Sequence, residues 1–514
     1  MTALDQRPTS VTQSGSQENF PQSVTARETH SAIVLLLETI AYKMKKPIKT
    51  DFLDFRTVKS RWSALEREYI LNARFAPDVY VGIAELTDPA GGASEPLLKM
   101  LRLPDSAKLA VLAADGADLT EQLAAIARIV ARVHRNSPRR EAIDHEGTRE
   151  ALRGRWSANI RELRELSAGI LDSTTVDEIG FRATRFIDGR GAMFDARIDD
   201  GHIVDGHGDL LADDIFCMED GPRILDCLDF DDKLRYVDRI DDAACLAMDL
   251  EYLQRADAAR YFLDSYLEAA CDAPPRSLID HYIAYRATVR AKVACLRARQ
   301  GRTESVSAAV EHARLALEHL ESATMTMTLI GGLPGTGKST LAAGLARKTG
   351  AIVLSTDIVR KELAGLEPTD SHADPFEQGL YTPSMTDHTY AELLRRARSE
   401  LAAGRSVILD GSWSDPGMRE RAGLLASMSY SELVEIECRV PADVSLRRIG
   451  NRRVHVSDAT REVYEAMAST RRTWRTATVV DCSRDVDESV RAASAALSSA
   501  IHRVPTADDP RSIR

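Results

Sequence analysis

The sequence of 514 residues predicts two joined folds, an α+β domain followed by an α/β domain with a doubly wound parallel sheet. Three observations support this prediction. The length exceeds what one hydrophobic core usually serves. Residues 31–48 have the pattern of a β-hairpin, and residues 240–322 have a helical composition. From Met325 onward strands and helices alternate to about Ala496, which is typical of a parallel sheet covered on both faces.

The predicted elements follow one another along the chain. The first strands are residues 31–37 and 41–48 with a turn at Glu38-Thr39, and a helix follows over residues 57–71. Helices are then predicted from residue 119 to about residue 168, and a second hairpin-rich region over residues 203–230. We therefore place a disordered tail at residues 1–25, the first domain at 26–320, the second at 325–500 and a loose tail at 501–514.

Composition narrows the class of protein. The chain is 44% hydrophobic and 28% charged, and no apolar run is long enough to span a bilayer, so we expect no membrane association. A net charge of −11 disfavours nucleic acid as a partner. The seven cysteines lack metal-binding spacing and the N-terminus lacks a signal pattern, so we expect a cytoplasmic protein. The sequence does not define the oligomeric state.

The glycine-rich segment after Met325 carries the most specific motif. Residues 332–340 match the pattern GxxxxGK[ST], between a predicted strand and a predicted helix. Glycines allow backbone N–H groups to surround a phosphate, and Lys338 can reach the β- and γ-phosphates of ATP or GTP. The Ser339 hydroxyl can bind Mg²⁺. The predicted nucleotide-binding residues of this P-loop are Gly332, Gly335, Thr336, Gly337, Lys338, Ser339 and Thr340.

Two further strands of this domain end in acids. Residues 351–355 lead to Asp357, and residues 406–409 lead to Asp410. Ligands of open α/β sheets bind at the carboxyl ends of the strands. One acid is therefore expected to bind the water shell of Mg²⁺, and the other to face the phosphate acceptor. The alternative is that both acids are helix N-caps.

An arginine cluster follows the next strand. It contains Arg447, Arg448, Arg452 and Arg453. The cluster is either a solvated helix face or a lid that closes on the transferred phosphoryl group, and its place between a strand and a turn favours the lid.

Together these elements resemble the small-molecule kinase branch of P-loop proteins, which includes gluconate-kinase-like, polynucleotide-kinase-like and zeta-toxin-like members. The resemblance implies that Asp357 is the catalytic base or orients the acceptor, that Arg360 contacts the acceptor, and that Arg448 and Arg452 belong to the lid. We expect Lys338 to be the catalytic lysine of this site and Asp410 to join Ser339 as a metal ligand.

The first domain contains a second set of acids. His207-Gly208-Asp209 precedes a predicted hairpin, Asp214 lies five residues after Asp209, and Asp226 and Asp229 follow the hairpin. Such acids at strand ends are suited to act as a base and as Mg²⁺ ligands: Asp209 could accept the acceptor's proton, while Asp214 and either Asp226 or Asp229 hold metal on the nucleotide. A solvated acidic loop is the alternative.

Residues 29–300 resemble the aminoglycoside-phosphotransferase-like kinases, a branch of the protein-kinase fold. The resemblance rests on His207-Gly208-Asp209 and on further segments: Thr29-His30-Ser31, residues 42–47, residues 52–55, residues 71–74, residues 77–80, residues 247–251 and residues 285–290. It implies that Asp209 is the catalytic base, that Asp226 or Asp229 binds metal, and that Lys43 or Lys45 grips phosphate with Glu68 as its helix partner. Two departures are Asp214, where the family usually has Asn, and the absence of a glycine-rich loop at Glu38-Thr39.

The two domains in one chain resemble bacterial fusions of a phosphotransferase and an ATP-binding protein. The resemblance implies an enzyme that uses ATP and Mg²⁺ at two nucleotide sites to phosphorylate a hydroxyl of a small molecule. One alternative is a nucleotide-binding regulator with one degenerate kinase domain. Another is a toxin-like kinase that acts on a macromolecule or a nucleotide sugar. The acids of residues 226–232 could attract cationic acceptors such as amino sugars. On one helix, Arg286, Arg290 and Lys292 either line an acceptor pocket or are exposed charges.

Overall fold

The computed structural model describes residues 24–29, 31–49, 54–87, 89–367, 378–451 and 460–503. The chain divides into two compact units. The first unit runs to Asp177 and includes Asp195–Pro274 and Tyr282–Leu317, and the second contains Glu178–Phe194, Pro275–His281 and the chain from Glu318. Two helical stretches from earlier in the sequence thus group with the second unit. Among the described residues, no helix combines the length and the apolar composition needed to cross a bilayer.

A five-stranded antiparallel sheet begins the first unit. Its strands are β1 (Thr25–Glu28), β2 (Ala32–Leu36), β3 (Ile40–Lys45), β4 (Tyr80–Leu86) and β5 (Glu95–Leu101), in the order β1-β2-β3-β5-β4. Helix α1 (Val58–Asn72) packs on β4 and β5 through Leu65, which is fully buried. The hairpin and the helix that the sequence predicts here are confirmed within one to three residues at each end. This packing brings one face of α1 to the strand that carries Lys43 and Lys45.

Helices dominate the rest of the first unit. They are α2 (Leu109–Ala114), α3 (Thr120–Arg135), α4 (Glu141–His145), α5 (Arg149–Leu166), α6 (Ser173–Gly189), α7 (Gly191–Asp199), α8 (Arg239–Tyr252), α9 (Ala256–Ala270), α10 (Arg276–Arg299) and α11 (Ser305–Ser322), of which α6, α7, α10 and α11 each have residues in both units. Apolar residues of α3 and α8 are among the most buried in the chain. These helices support the short strands that carry the acids of the first unit.

The second hairpin-rich region differs from its prediction over residues 203–230. Only β7 (Ile215–Met218) and β8 (Gly221–Ile224) form a hairpin, whereas β6 (Ile203–Asp205) pairs with β9 (Tyr236–Asp238). The reason is long-range: β6 finds its antiparallel partner 31 residues or more along the chain, which a local pattern cannot show. The loops between these two ribbons contain Asp209, Asp214 and Asp226.

The second unit contains the predicted parallel sheet. Its strands are β10 (Thr326–Gly331), β11 (Ile352–Ser355), β12 (Val407–Asp410), β13 (Glu432–Arg439) and β14 (Thr478–Asp481), in the order β11-β12-β10-β13-β14, and every pair is parallel. The helices after β10 are α12 (Lys338–Thr349), α13 (Thr356–Leu363), α14 (Pro383–Ala402), α15 (Pro416–Met428), α16 (Ala442–Gly450), α17 (Arg461–Ser469) and α18 (Val486–Ile501).

Two apolar clusters cover the two faces of this sheet. Leu329 and Leu409 belong to one cluster, and their neighbours Ile330 and Ile408 belong to the other. Side chains of successive strand residues alternate between faces, so a strand buried on both faces is apolar throughout. The central strand β10 is accordingly buried at all six residues. This rigid strand leads directly into the P-loop.

Candidate active sites

The P-loop of the second unit has the backbone conformation that its glycines predict. It joins β10 to α12, and Gly337 is the N-cap of the helix. Gly335 and Gly337 have φ angles of 79° and 93°, which favour glycine. A Cβ atom on Gly335 would also lie 2.6 Å from the Ser445 carbonyl oxygen. Thr336 closes the turn by donating its hydroxyl to the Leu333 carbonyl at 2.8 Å.

A cavity of about 1090 Å³ lies at the carboxyl ends of the parallel strands. Gly332, Gly335, Gly337, Lys338, Ser339 and Thr340 line its P-loop side. Asp357, Arg360, Asp410 and Arg448 line the same cavity. The predicted site residues of this unit that the structure describes therefore line one cavity, except Thr336, which does not reach its wall. Sequence reasoning missed Tyr381, Tyr390, Asp415 and Arg484, which also line the cavity. A longer search of the segments after each strand would have found the last three.

Ser339 and Asp410 form the centre of the site. The Ser339 hydroxyl donates to Asp410 Oδ2 at 2.7 Å. Asp410 ends β12 and is paired in register with Ile330 on the neighbouring strand β10. This register places its carboxylate near the start of α12, which follows β10. Burial raises the pKa of Asp410, and Lys338 opposes that rise. A hydroxyl and a carboxylate are hard oxygen ligands of the kind that Mg²⁺ prefers. Lys338 Nζ itself donates to the Leu333 carbonyl at 3.1 Å.

Asp357 and Arg360 form a second pair in the same cavity. Arg360 Nη1 lies 3.0 Å from Asp357 Oδ1, one helical turn away on α13. The guanidinium lies over the Tyr381 ring at 4.7 Å and is buried, and its Nε has no hydrogen-bond partner. Ser355 is the N-cap of α13 and Asp410 ends a strand, so neither predicted acid is a helix N-cap. The pair can hold a polar acceptor.

The arginine cluster is described only in part. Arg447 forms an exposed ion pair with Asp443 at 3.0 Å. Arg448 donates from Nη2 to the Cys482 carbonyl at 3.0 Å and faces the cavity. Arg452 and Arg453 lie outside the described residues. The lid therefore stays a prediction, with Arg448 at its described edge.

In the first unit, Lys43 and Lys45 both bind Glu68. Lys43 Nζ lies 2.6 Å from Glu68 Oε1, and Lys45 Nζ lies 2.8 Å from Oε2. Lys43 also lies 3.4 Å from Asp226, and Lys45 lies 3.0 Å from Asp229. Burial of Glu68 opposes its ionisation, but the two lysines outweigh burial and lower the pKa of Glu68 to about 2. The sequence left open whether Lys43 or Lys45 grips phosphate and whether Asp226 or Asp229 binds metal. All four residues belong to one network of ion pairs around Glu68.

We expect Glu68→Gln to destabilise the first unit by about 3 kcal/mol, since removal of one partner leaves two lysines without their buried counter-charge. Urea unfolding of the full chain measures this loss. Glu66→Gln, on an exposed position of the same helix, is the matched control and should change stability by less than about 0.5 kcal/mol. Equal effects of the two substitutions would contradict a stabilising role for the network.

Asp242 holds the His207-Gly208-Asp209 loop in place. Its carboxylate accepts the backbone N–H of His207 at 2.7 Å and of Gly208 at 2.8 Å. His134 Nε2, near the end of α3, lies 2.9 Å from the same carboxylate. Burial disfavours the charged form of Asp242, but the hydrogen bond with His134 and the charges around it, Arg286 among them, lower its pKa. Sequence reasoning missed Asp242, because nothing local distinguishes it from Asp241.

Asp209, Asp214 and Asp226 lie close enough to influence one another. Burial, followed by the charges of Asp226 and Asp209, raises the pKa of Asp214 to about 8. The mutual repulsion of these carboxylates favours a cation near them. Among the described residues, no three His, Cys, Asp or Glu side chains are placed to hold a metal ion by themselves. Mg²⁺ at either unit therefore stays a prediction that includes phosphate oxygens of a nucleotide.

The shifted pKa of Asp214 predicts a pH dependence. Because the folded pKa of about 8 exceeds the ordinary value of 3.8, the folded chain binds the proton more tightly than the unfolded chain. Stability without divalent cations should therefore fall as pH rises from about 4 to about 8, by at most about 1.4 kcal/mol per pH unit. Asp214→Asn should remove this slope, as measured by calorimetry in EDTA. The exposed Glu219→Gln should retain it, and an unchanged slope in Asp214→Asn would contradict the assignment.

Arg286, Arg290 and Lys292 of α10 each lie near an acidic residue of the chain. Arg286 binds Asp241 at 2.7 Å in the interior, and Lys292 binds Glu162 at 2.9 Å. Arg290 Nη1 lies 4.0 Å from Asp209 Oδ2, so it alone of the three cations on α10 is next to a candidate catalytic residue.

The acids of residues 226–232 are also largely paired. Asp226 and Asp229 contact Lys43 and Lys45, and Asp232 pairs with Arg67 and Arg235. The Asp226 side chain is nevertheless 64% exposed, so the attraction of cationic acceptors stays a prediction.

The comparisons with known proteins agree with this geometry. Residues 327–473 match the family model of an AAA domain. The second unit thus contains a P-loop domain with a doubly wound parallel sheet, and the first unit is an α+β fold that begins with a five-stranded antiparallel sheet. Two mycobacterial proteins, both described only as uncharacterized, are 45% identical over 467 residues: Rv2004c of Mycobacterium tuberculosis (strain H37Rv) and Mb2027c of Mycobacterium bovis. The match covers 91% of this chain and 94% of each relative, and the chain belongs to the family of these proteins.

Two solved structures are each similar to part of this chain. A sugar kinase from Janibacter sp. HTCC2649 is 20% identical, with 36% of this chain and 99% of that chain covered and a TM-score of 0.28. A choline/ethanolamine kinase family protein from Mesorhizobium loti is 11% identical, with 57% and 92% covered and a TM-score of 0.33.

Proposed function

We propose that the second unit is a kinase that transfers the γ-phosphoryl group of ATP to a hydroxyl of a small molecule. The observation that supports this proposal is that one cavity contains both a nucleotide-binding half and an acceptor-binding half. The P-loop and the Ser339–Asp410 hydrogen bond form the nucleotide half. The Asp357–Arg360 pair forms the acceptor half.

Each residue has a role that follows from its position. Backbone N–H groups of the P-loop and the N-terminus of α12 bind the phosphates, and Lys338 stabilises the charge that develops on the γ-phosphoryl group. Ser339 and Asp410 would hold Mg²⁺. When bound, that ion neutralises phosphate charge. The acceptor oxygen forms a bond to the γ-phosphorus as the bond to ADP breaks, and Asp357 accepts the hydroxyl proton. Arg360 orients the acceptor, and Arg448 contacts the phosphates from the lid side.

For the first unit we propose a second nucleotide site with the same donor. Lys43 and Lys45, positioned by Glu68, would grip the phosphates. Asp214 and Asp226 or Asp229 would hold Mg²⁺, and Asp209 would act as the base. The side chain of Asp209 is 44% exposed, so an acceptor hydroxyl can reach it. The regulator alternative predicts nucleotide binding here without transfer.

The proposal extends to partners and location. A small phosphate acceptor, rather than a nucleic acid or a membrane, suits the enclosed acceptor half of the cavity. All seven cysteines are free, which supports a reducing cytoplasm as the location.

The test measures binding and transfer separately. Calorimetric titration of the full chain with Mg²⁺ and a non-hydrolysable ATP analogue should give two sites. Incubation with γ-labelled ATP and a panel of sugars, sugar acids, amino sugars, nucleosides and nucleotide sugars should then yield one labelled small molecule. Label found only on protein would favour the toxin-like alternative. Two bound analogues without transfer to any acceptor would contradict the kinase proposal and favour a regulator.

A further inference from the structure

A second, small cavity of the second unit lies at the opposite end of its central strands. Met325, which precedes β10, and Glu432, which begins β13, both line it. The nucleotide cavity lies at the carboxyl ends of these parallel strands, so the length of β10, about 20 Å, separates the two cavities. The small cavity has a volume of about 30 Å³. One water needs about 10–15 Å³, so the space suits a group of a few heavy atoms and not a nucleotide.

Arg190 is a buried cation in the wall of this cavity. The residue is 1% exposed, and its Nη1 donates to the carbonyl oxygens of Gly189 and Ser429, both at 2.8 Å. Its Nε has no hydrogen-bond partner. Within the described part of the chain, no acidic side chain forms an ion pair with Arg190. Burial, followed by the charge of Arg185, lowers the pKa of this guanidinium to about 9. Buried charges are normally paired, and this one faces a cavity instead.

Further arginines surround the cavity. Arg182, Arg185 and Arg503 line it beside Arg190. Glu432 lies 3.2 Å from Arg185, and Glu178 and Glu321 lie 2.7 Å and 3.9 Å from Arg182. Of the residues that line the cavity, four are cations and one, Glu432, is an acid, so the lining has an excess of positive charge. The ring of Phe186 lies 5.8 Å from the Arg190 guanidinium and limits its movement.

We propose that this cavity binds a phosphate group, with Arg190 as its principal ligand. A guanidinium offers two parallel N–H donors that match the oxygens of phosphate, and an oxyanion would supply the missing counter-charge. The group is either free inorganic phosphate or the phosphoryl end of a larger metabolite whose remainder extends into solvent. The site is distinct from the nucleotide cavity and is independent of the function proposed above.

The experiment must keep phosphate out of the nucleotide sites. The full chain is therefore saturated with Mg²⁺ and a non-hydrolysable ATP analogue, which also fills the γ-phosphate position, and then titrated in a calorimeter with inorganic phosphate and, separately, with phenyl phosphate. We expect one further site per chain, weakened at least tenfold by Arg190→Gln. Arg395→Gln, an exposed arginine of α14 paired with Glu392, is the matched control and should bind as the wild type does. Tighter binding of phenyl phosphate would identify the phosphoryl end of a larger ligand, and equal or tighter binding of inorganic phosphate would identify the free ion.

Two outcomes would overturn the proposal. One is the absence of a phosphate site in the wild type saturated with the ATP analogue. The other is unchanged phosphate affinity in Arg190→Gln. If that variant does not fold, Arg190→Lys replaces it, because lysine keeps the charge but lacks the paired donors. Arg190→Lys should bind phosphate at least threefold more weakly than the wild type, and wild-type affinity in this variant would equally contradict the assignment.

Discussion

Replacement of Lys338 by alanine is expected to lower kcat/KM for phosphoryl transfer in the second unit by at least 100-fold. Lys338 begins α12 immediately after the phosphate-binding loop and lines the nucleotide cavity. In this position its ammonium group can approach the β- and γ-phosphates, where negative charge develops during transfer. Removal of one preorganised electrostatic stabiliser of this kind costs about 10²–10³-fold in rate.

To measure the effect of Lys338→Ala on the second unit alone, phosphoryl transfer by the first unit must first be removed. Product formation is followed in Asp209→Asn chains that carry either Lys338→Ala or Lys348→Ala. Lys348 lies on the same helix but is exposed at its far end, so its replacement should leave the rate within twofold. A Lys338→Ala chain that retains more than a tenth of the rate would show that the P-loop is not the site of transfer.

Asp209→Asn is expected to abolish transfer by the first unit, with a loss of about 10²–10⁴-fold, because asparagine cannot accept the acceptor's proton. The backbone should stay in place, since the loop is held by Asp242 through the N–H groups of His207 and Gly208 and not by Asp209 itself. Nucleotide affinity should therefore change little. The measurement is product formation in a Lys338→Ala background, together with calorimetric binding of Mg²⁺-ATP.

Asp213→Asn is the matched control for Asp209→Asn. Asp213 lies on the same segment, but its side chain is exposed and binds Lys108 at 3.1 Å. Its replacement should leave transfer by the first unit within about threefold. If Asp209→Asn and Asp213→Asn both transfer phosphate like the parent chain, Asp209 is not the base. If the wild-type chain binds two nucleotides but only its second unit turns over, the first unit is the regulator that the departures at Asp214 and Glu38-Thr39 suggest.

The P-loop was predictable because its information is local. Gly332, Gly337, Lys338 and Ser339 are neighbours in sequence, and the geometry of one strand, one turn and one helix places them together. The parallel sheet was predictable for a related reason, since strands buried on both faces have apolar runs that alternate with helices. The same reasoning predicted that Asp357 and Asp410 lie at the carboxyl edge of the sheet, and in the structure both line the cavity there.

The first unit depended more on long-range contacts. The sequence could not choose between Lys43 and Lys45, and the structure shows that both bind Glu68 from a helix 23 residues or more away. It also left Asp226 or Asp229 open, and each pairs with one of those lysines. Side chains two apart on a strand share a face, so only the position of the partner helix determines what they contact.

Sequence alone thus determined the two fold classes, the phosphate-binding loop and most of the candidate acids, because each is encoded by neighbouring residues or by a period along one element. Tertiary structure alone decided which charges are paired, that Asp242 holds the His207-Gly208-Asp209 loop, and that Glu178–Phe194 groups with the second unit. It also decided that Arg190 is buried without an acidic partner among the described residues. The physical reason is that burial and charge pairing are properties of residues distant in sequence, and they arise only when the chain packs.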